Sequence, residues 1–262
     1  MSTVNPLLQV NELSKGFMGI RAVDNFSFAV PHGTVVGIIG PNGAGKTTVF
    51  NLISKLYKPD NGRIYLGGQD ITDFKPYQAN QIGIARTFQN IRLLGNLTVL
   101  ENVMVTLGTR ATYTMVDVIL HRRSFQKIEA ERLQLANELL KRVGLLHRCN
   151  HKASALSYGE QRRLEIVRAL ATNPKILLMD EPVAGMNRSE KDDLAEFIKS
   201  IVSEGVSVLL IEHDMGFVMS ICDTIIVLNY GKKIAEGSPA LVRQNEEVIE
   251  AYLGKNAHVK HS

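Results

Sequence analysis

Cysteine is scarce in this sequence of 262 residues, and its two copies, Cys149 and Cys222, lack the spacing of a metal-ligand or redox pair. This scarcity argues against a disulfide framework and favours a reducing compartment. No run of about 18 apolar residues occurs, so no segment suits a membrane-spanning helix. The first residues also lack the basic and apolar stretches that direct export. We therefore expect a cytosolic protein.

The composition, with 45% apolar and 21% charged residues, suits one large domain or a main domain with a subdomain. Positive charge is concentrated in residues 121–170, which hold 11 Lys and Arg against 5 Glu. That segment therefore carries a charge of +6, within a total of +4 for the chain. Two interpretations stay open: a solvated helical face, or a surface for nucleic acid or a membrane.

Short apolar runs of β type dominate the first part of the chain, at residues 7–10, 26–30 and 35–40. Apolar residues at helical spacing then predict a helix over 46–57. After a turn, residues 64–68 predict a hairpin strand. We expect an antiparallel β part near the N-terminus.

The middle of the chain has a helical pattern. Thr98 and Glu101 stand in the relation of a capping box, and residues 124–144 predict a long amphipathic helix. Residues 90–165 are therefore expected to form a mostly helical insertion between two strand-bearing parts.

Strands and helices alternate after this insertion. The predicted strands are 175–180, 206–212 and 224–229, and the predicted helices between them are 188–203 and 215–223. Apolar strands separated by helices indicate a parallel sheet that is covered on both faces. The fold class is therefore α/β.

The stretch GPNGAGKT matches the phosphate-loop pattern G-x-x-x-x-G-K-[ST], and it lies between an apolar strand and a helix as the mechanism requires. Its glycines allow backbone N–H groups to approach phosphate oxygens. Lys46 would neutralise the β- and γ-phosphates, and the Thr47 hydroxyl would ligate Mg²⁺. The predicted nucleotide-binding residues of this loop are Gly40, Pro41, Asn42, Gly43, Ala44, Gly45, Lys46, Thr47 and Thr48.

Two carboxylates follow the apolar run 176–179. Asp180 would lie at the carboxyl end of a central parallel strand, where open α/β sheets bind their ligands, and is predicted to hold Mg²⁺ directly or through water. Glu181 points in another direction and is predicted to orient and deprotonate the attacking water.

The stretch LSYGEQ begins a helical pattern with a serine at the cap position. Together with the phosphate loop and the Asp-Glu pair, it resembles the ABC transporter ATPase family, whose signature is close to L-S-G-G-Q. Tyr158 and Glu160 are departures from that signature. The resemblance covers nearly the whole chain and implies a P-loop NTPase core. It also implies that Ser157 and Gly159 contact the γ-phosphate bound to a second subunit in a head-to-tail dimer.

The same resemblance assigns four further residues. Phe17 would stack on adenine, Gln89 would contact Mg²⁺ and the water while sensing the membrane partner, and His213 would contact the γ-phosphate. Asn187 stands where the family usually has aspartate in its D-loop. The predicted catalytic residues are thus Glu181, His213, Gln89 and Lys46, and the predicted metal ligands are Thr47, Gln89 and Asp180, with ATP and Mg²⁺ as cofactors.

The resemblance also divides the chain. Residues 1–89 and 166–254 would form the nucleotide-binding core, residues 90–165 the helical signature subdomain, and residues 255–262 a flexible tail.

Longer matches, such as RTFQNIRLLGNLTVLENV and LSYGEQRRLEIVRAL, resemble the ATP-binding subunits of bacterial branched-chain amino acid importers. This implies a second ATPase chain as partner, related or identical, with integral membrane permeases and, indirectly, an amino-acid-binding protein. The chain would lie peripherally on the cytoplasmic face of the inner membrane. Similar ATPases of urea or amide importers and of lipopolysaccharide export remain alternatives.

Two other classes are weighed against a transporter subunit. A soluble ABC ATPase acting on DNA or ribosomes would use the basic segment, but such proteins usually carry two motif sets, a coiled-coil insertion or a linker arm. None of these features is visible, so no nucleic acid is expected. A nucleotide sensor without turnover fits poorly with the presence of Glu181 and His213.

Overall fold

A computed structural model describes residues 5–89, 91–108 and 123–253 of the chain. Within these ranges no helix combines the length and the apolar character needed to cross a membrane. The described chain forms two β-sheets with α-helices packed against them.

The strands follow in the order β1 (Leu8–Phe17), β2 (Ile20–Val30), β3 (Val35–Ile39), β4 (Asn61–Leu66), β5 (Gln69–Asp70), β6 (Ile84–Arg86), β7 (Ile176–Asp180), β8 (Ser207–Ile211), β9 (Thr224–Asn229) and β10 (Lys232–Gly237). The helices are α1 (Lys46–Ile53), α2 (Pro76–Gln81), α3 (Val99–Gly108), α4 (Arg123–Arg142), α5 (Tyr158–Ala171), α6 (Arg188–Ser203), α7 (Met215–Ile221), α8 (Pro239–Arg243) and α9 (Glu246–Leu253).

The larger sheet has six strands in the order β10-β9-β3-β8-β7-β6, and only the pairing of β10 with β9 is antiparallel. The smaller sheet has the order β2-β1-β4-β5 and is antiparallel throughout. This architecture confirms the predicted α/β fold with an antiparallel N-terminal part.

Every residue of β3, β7 and β8 is buried. Successive strand side chains point to opposite faces, so each strand contributes to two separate cores. Val36 and Ile38 pack in the core under the antiparallel sheet and α1. Val35 and Ile39 pack in the other core, with the helices of the second face. Coverage on both faces explains why these strands are apolar without alternation.

The first helix is shorter than predicted: α1 ends at Ile53, and the prediction had extended it to residue 57. The Ser54 hydroxyl donates to the Phe50 carbonyl oxygen, and Lys55 adopts a left-handed backbone with φ 63°. A left-handed residue cannot continue an α-helix, so the chain turns away although the apolar pattern continues.

The N-terminal strands are longer than their apolar runs suggested. β1 and β2 extend through polar residues as far as Phe17 and Ile20, because they pair with each other as an antiparallel hairpin. The hairpin strand predicted at 64–68 instead spans Asn61–Leu66, since Gly67 and Gly68 form the turn with φ of 56° and 81°.

The basic segment 121–170 is only partly a surface. Arg162 is fully buried, and the side chains of Arg132 and Arg168 make contacts to carbonyl oxygens of Met104 and Arg92. The interpretation of the whole segment as a solvated face is therefore wrong for Arg162. A charge count could not show this, because burial of a guanidinium depends on partners far away in the sequence.

Candidate functional site

The phosphate loop and the residues Asp180, Glu181 and His213 lie at one edge of the six-stranded sheet, whereas Phe17, Ser157 and Gly159 lie on other elements. Strands β3, β8 and β7 are parallel neighbours, so their carboxyl ends meet there. The phosphate loop 40–45 follows β3, Asp180 ends β7 with Glu181 directly after it, and His213 comes two residues after β8.

The phosphate loop depends on glycine at two close approaches. Gly40 has a φ of 150°, and a Cβ there would lie 2.0 Å from the Leu228 carbonyl oxygen. Gly45 has a φ of 106°, and a Cβ there would lie 2.2 Å from the Ala22 carbonyl oxygen. Gly45 is also the N-cap of α1 and offers no side-chain cap, so the first backbone N–H groups of α1 stay available to an anion.

Lys46 is buried inside this loop. Its Nζ donates to the carbonyl oxygens of Gly40, at 2.6 Å, and Pro41, at 2.9 Å. Burial lowers the pKa of Lys46, while the carboxylates of Glu181 and Asp180 oppose that shift. The loop thus concentrates a cationic group and free N–H donors, the combination that a polyphosphate requires.

The structure brings three predicted catalytic side chains together. Glu181 Oε2 accepts a hydrogen bond from Gln89 Nε2 at 2.9 Å, and Glu181 Oε1 lies 2.9 Å from His213 Nε2. Glu181 has a left-handed backbone with φ 48°, held by a hydrogen bond from its N–H to the Ile211 carbonyl oxygen. A carboxylate flanked by an amide and an imidazole can accept a proton while its neighbours fix its orientation.

Asp180 forms a buried ion pair that sequence reasoning missed. Arg86 Nη2 donates to Asp180 Oδ2 at 2.9 Å, and the two side chains are only 8% and 4% exposed. Arg86 Nη1 also donates to Asn51 and Ser54, at 2.7 and 2.9 Å, which links the pair to α1. Burial raises the pKa of Asp180, and Arg86 opposes that rise. Arg86 stands three residues before Gln89 in RTFQ, but its partner could not be inferred from that position.

Glu212 is a second missed residue, and it lies directly after β8. Its buried carboxylate accepts hydrogen bonds from the backbone N–H groups of Val183, at 2.9 Å, and His213, at 2.9 Å. Burial raises the pKa of Glu212, and these hydrogen bonds oppose the rise. Glu212 therefore ties the loop after Glu181 to the backbone that presents His213. Its place as an acidic residue directly after an apolar strand is a sequence signal that could identify it.

The signature stretch forms a complete capping box. Ser157 Oγ accepts from the Glu160 N–H at 3.3 Å, and the Ser157 N–H donates to Glu160 Oε2 at 2.9 Å. Glu160, a departure from the family signature, thus supports the start of α5. A Cβ at Gly159 would lie 2.5 Å from Glu190 Oε1. Gly159 therefore sits beside the start of α6.

Asn187, the other departure, is the N-cap of α6. Its Oδ1 accepts from the Glu190 N–H at 3.0 Å, and its own N–H donates to Glu190 Oε2 at 2.9 Å. Asparagine and aspartate cap helices about equally well, so this departure leaves the local structure satisfied.

Phe17 lies at the end of β1 and is 40% exposed. Its ring makes an edge contact with Tyr57, with 5.3 Å between ring centroids and 66° between planes. The β1–β2 hairpin is adjacent to the phosphate loop, because Ala22 of β2 approaches Gly45. Tyr57 was not predicted as a site residue, and its position becomes apparent only after folding.

Known proteins are similar to this chain over nearly its whole length. A family profile described as ABC transporter matches residues 23–184, and one described as branched-chain amino acid ATP-binding cassette transporter matches residues 232–258. The chain is 43% identical to the high-affinity branched-chain amino acid transport ATP-binding protein BraF of Pseudomonas aeruginosa, over 95% of this chain and 98% of the relative. The high-affinity branched-chain amino acid transport ATP-binding protein LivG of Escherichia coli shows the same identity and coverage. The lipopolysaccharide export system ATP-binding protein LptB of Haemophilus influenzae is 34% identical over 95% of this chain and 98% of the relative.

Solved structures agree with these relatives. A nucleotide-free ATP-binding cassette from an ABC transporter superposes with a TM-score of 0.82 at 33% identity, covering 95% of this chain and 99% of the other. A dimeric ATP-binding cassette bound to ADP and Pi gives a TM-score of 0.75 at 30% identity, covering 88% and 98%. Sequence, fold and strand-end geometry together lead to one conclusion: the chain belongs to the ATPase family of ABC transporters.

Proposed function

We propose that this chain is the ATP-hydrolysing subunit of a membrane importer for branched-chain amino acids. The observation that carries the proposal is the 43% identity to BraF and LivG over 95% of the chain. The match of residues 232–258 to the branched-chain amino acid transporter profile supports the same substrate class, because that profile covers a segment outside the general ABC transporter match.

The proposed substrate is ATP with Mg²⁺. No group of three or more His, Cys, Asp and Glu residues suited to a metal occurs among the described residues. Mg²⁺ in nucleotide sites is usually bound through one or two carboxylates together with other oxygen ligands, substrate phosphates and water. The Thr47 hydroxyl, the Asp180 carboxylate and the Gln89 amide would supply those oxygens, and the ion would offset the charge of the phosphates.

Hydrolysis would use Glu181 together with its neighbours Gln89 and His213, which we call the Glu181 cluster. Glu181 takes a proton from water as the water oxygen bonds to the γ-phosphorus, and the bond from that phosphorus to the β,γ-bridging oxygen breaks to release ADP. Gln89 and His213 hold the two carboxylate oxygens of Glu181, so the base is oriented before the reaction. Lys46 and the N–H groups at the start of α1 stabilise charge on the phosphates. Phe17 offers an exposed ring for adenine.

The site would be completed by a second ATPase chain packed head to tail. Ser157 and Gly159 at the start of α5 would then contact the γ-phosphate bound to the partner. Light scattering of a Glu181→Gln variant with ATP tests whether the partner is a second copy of this chain. We expect weak self-association, and a tight homodimer would count against an obligate related partner.

The assembly would lie on the cytoplasmic face of the inner membrane, against permease subunits. The test is reconstitution of the chain with its permeases, partner ATPase and binding protein in lipid vesicles. We expect leucine uptake that requires ATP and stops with a Lys46→Ala variant. ATP-driven urea transport or lipopolysaccharide extraction without leucine uptake would assign one of the alternatives, and salt-sensitive DNA binding without a membrane partner would overturn the proposal.

A further inference from the structure

Arg162 lies in the first turns of α5 with a fully buried side chain. Its guanidinium donates to three backbone carbonyl oxygens: Phe88 at 2.6 Å, Gln89 at 3.0 Å and Glu181 at 3.3 Å. Two of these carbonyls belong to residues of the candidate site. The proposed function gives no role to this arginine, although its contacts join three separate segments of the chain.

Glu165, one turn further along α5, completes the arrangement. Its Oε2 accepts from Arg162 Nη1 at 2.9 Å, and its Oε1 accepts from the Phe88 N–H at 3.2 Å. The pair therefore binds both the N–H and the carbonyl of Phe88. A buried ion pair gives little net stability unless its remaining hydrogen-bonding groups are satisfied. Here backbone carbonyls accept from both Nη atoms of Arg162, whereas its buried Nε has no hydrogen-bond partner among the described residues.

Tyr158 connects the same guanidinium to the signature stretch. Its hydroxyl accepts from Arg162 Nη2 at 3.4 Å, and its ring centroid lies 5.9 Å from the guanidinium carbon. The ring also lies 3.3 Å from where a Cβ of Gly185 would be, in the segment after Glu181. Arg162 and Tyr158 both lie near the start of α5. Together they contact the segment that contains Gln89 and the segment that follows Glu181.

The backbone of Glu181 needs such support. A left-handed conformation, here φ 48°, is unfavourable for glutamate and persists only when its surroundings impose it. The Ile211 carbonyl holds the N–H of Glu181, and Arg162 holds its carbonyl oxygen. Because the Gln89 and Glu181 side chains are also bonded to each other, Arg162 fixes both ends of that contact.

We propose that Arg162 is a positioning residue, which couples the start of the signature helix to Gln89 and Glu181 of the same subunit. This inference rests on the proposed role of Glu181 as the base. The helix that would serve the partner's nucleotide is thereby attached to the residues that would hydrolyse its own. A shift of α5 would change the orientation of the Glu181 carboxylate without touching bound nucleotide.

The test compares kcat and KM for MgATP in two variants. Arg162→Lys keeps a charge but cannot reach three carbonyls, and Glu165→Gln removes the charge that pairs with Arg162. We expect Arg162→Lys to lower kcat by about 10- to 100-fold, as a small misplacement of a catalytic group does, with KM changed less than about threefold. Glu165→Gln should change the same parameter in the same direction.

Arg168→Lys is the matched control. Arg168 also lies on α5 and donates to a backbone carbonyl, but that carbonyl belongs to Arg92 and not to a residue of the candidate site. Its kcat should stay within about twofold of the wild type at a temperature where all variants are folded. A purely structural role for Arg162 would instead lower the melting temperature and leave kcat unchanged below it.

Each result bears on the inference. A folded Arg162→Lys variant with wild-type kcat would overturn it. If that variant does not fold, wild-type kcat in Glu165→Gln would overturn it equally. A parallel Glu181→Gln measurement separates the two levels: an active Glu181→Gln removes the proposed base, whereas an inactive Glu181→Gln beside an active Arg162→Lys removes only the coupling.

Discussion

The phosphate loop and the Glu181 cluster lie at neighbouring strand ends but are held in different ways. The hydrogen bonds of the loop's lysine are local, because Lys46 donates to carbonyl oxygens six and five residues before it. Glu181 is held by side chains 92 and 32 residues away, on Gln89 and His213. The binding groups of the loop therefore come from consecutive residues, although Gly40 and Gly45 pack against Leu228 and Ala22, whereas the side chains of the cluster meet only after the sheet has formed.

This difference predicts a functional division. Changes in the loop should weaken nucleotide binding, because its backbone N–H groups and Lys46 provide the contacts to phosphate. Changes in the cluster should slow hydrolysis and leave binding intact, because its residues orient the reacting water. The experiments below on Glu181 and Gly45 test the two sides of this division, and those on Arg86 and Asn187 measure how strongly two neighbouring contacts stabilise the fold.

The largest expected effect is on turnover in Glu181→Gln. The amide keeps the size of the side chain but cannot accept the proton, and general base catalysis is typically worth about 10²- to 10⁴-fold in rate. We expect hydrolysis to fall by that factor, measured as phosphate release by the assembled transporter. ATP affinity, measured by equilibrium dialysis, should change less than about threefold. Hydrolysis within a few fold of the wild type would remove Glu181 as the base.

Arg86→Met tests how much the buried ion pair with Asp180 stabilises the fold beside the cluster. The change leaves the Asp180 carboxylate without its ion-pair partner in a site that is only 4% exposed. Breaking a buried pair on one side typically costs about 3 to 5 kcal/mol, so the free energy of unfolding from urea titration should fall by that amount. Arg63→Met is the control, since its pair with Asp70 is largely exposed and should contribute less than about 1 kcal/mol. Equal losses in the two variants would contradict the ion-pair argument.

Gly45→Ala tests the loop. The new Cβ would clash with the Ala22 carbonyl oxygen and would need a left-handed backbone, which costs about 1 to 3 kcal/mol before any clash. We expect ATP affinity to fall by at least about tenfold. Gly205→Ala is the matched control, because Gly205 has a similar positive φ of 96° with nothing in the described part of the chain within 4 Å of a Cβ, and it is not a predicted nucleotide-binding residue. If both variants bind ATP equally, close approach is not what glycine provides at position 45.

The same division explains what the sequence could predict. The glycine pattern, the strand before it and the helix after it are adjacent letters, so the loop was found from local rules. Glu181 was proposed from its place after a buried strand, and Gln89 and His213 were proposed from a family resemblance. The contacts among these three side chains could not be predicted without the sheet order. The roles of Arg86 and Arg162 were not predicted, because nothing near an arginine in the sequence indicates that its side chain is buried. The end of α1 at Ile53 was missed because the left-handed turn at Lys55 overrides a continuing apolar pattern.

The smallest expected effect is at Asn187, in the segment after Glu181. Its contacts are local, because they join it to Glu190, three residues further along the chain. Asn187→Asp keeps an oxygen that accepts from the Glu190 N–H, and the two residues cap helices about equally. The added charge gains from the start of α6 and loses from the nearby Glu190 carboxylate, which already accepts from the Asn187 N–H. We expect the free energy of unfolding to change by less than about 0.5 kcal/mol, against a loss of about 0.5 to 2 kcal/mol for Asn187→Ala. A loss above about 1 kcal/mol in Asn187→Asp would show that the cap depends on a neutral side chain. If Asn187→Asp leaves the free energy of unfolding unchanged but alters ATP hydrolysis by the assembled pair, the effect would arise from the contact between the two subunits. The family usually has aspartate at this position.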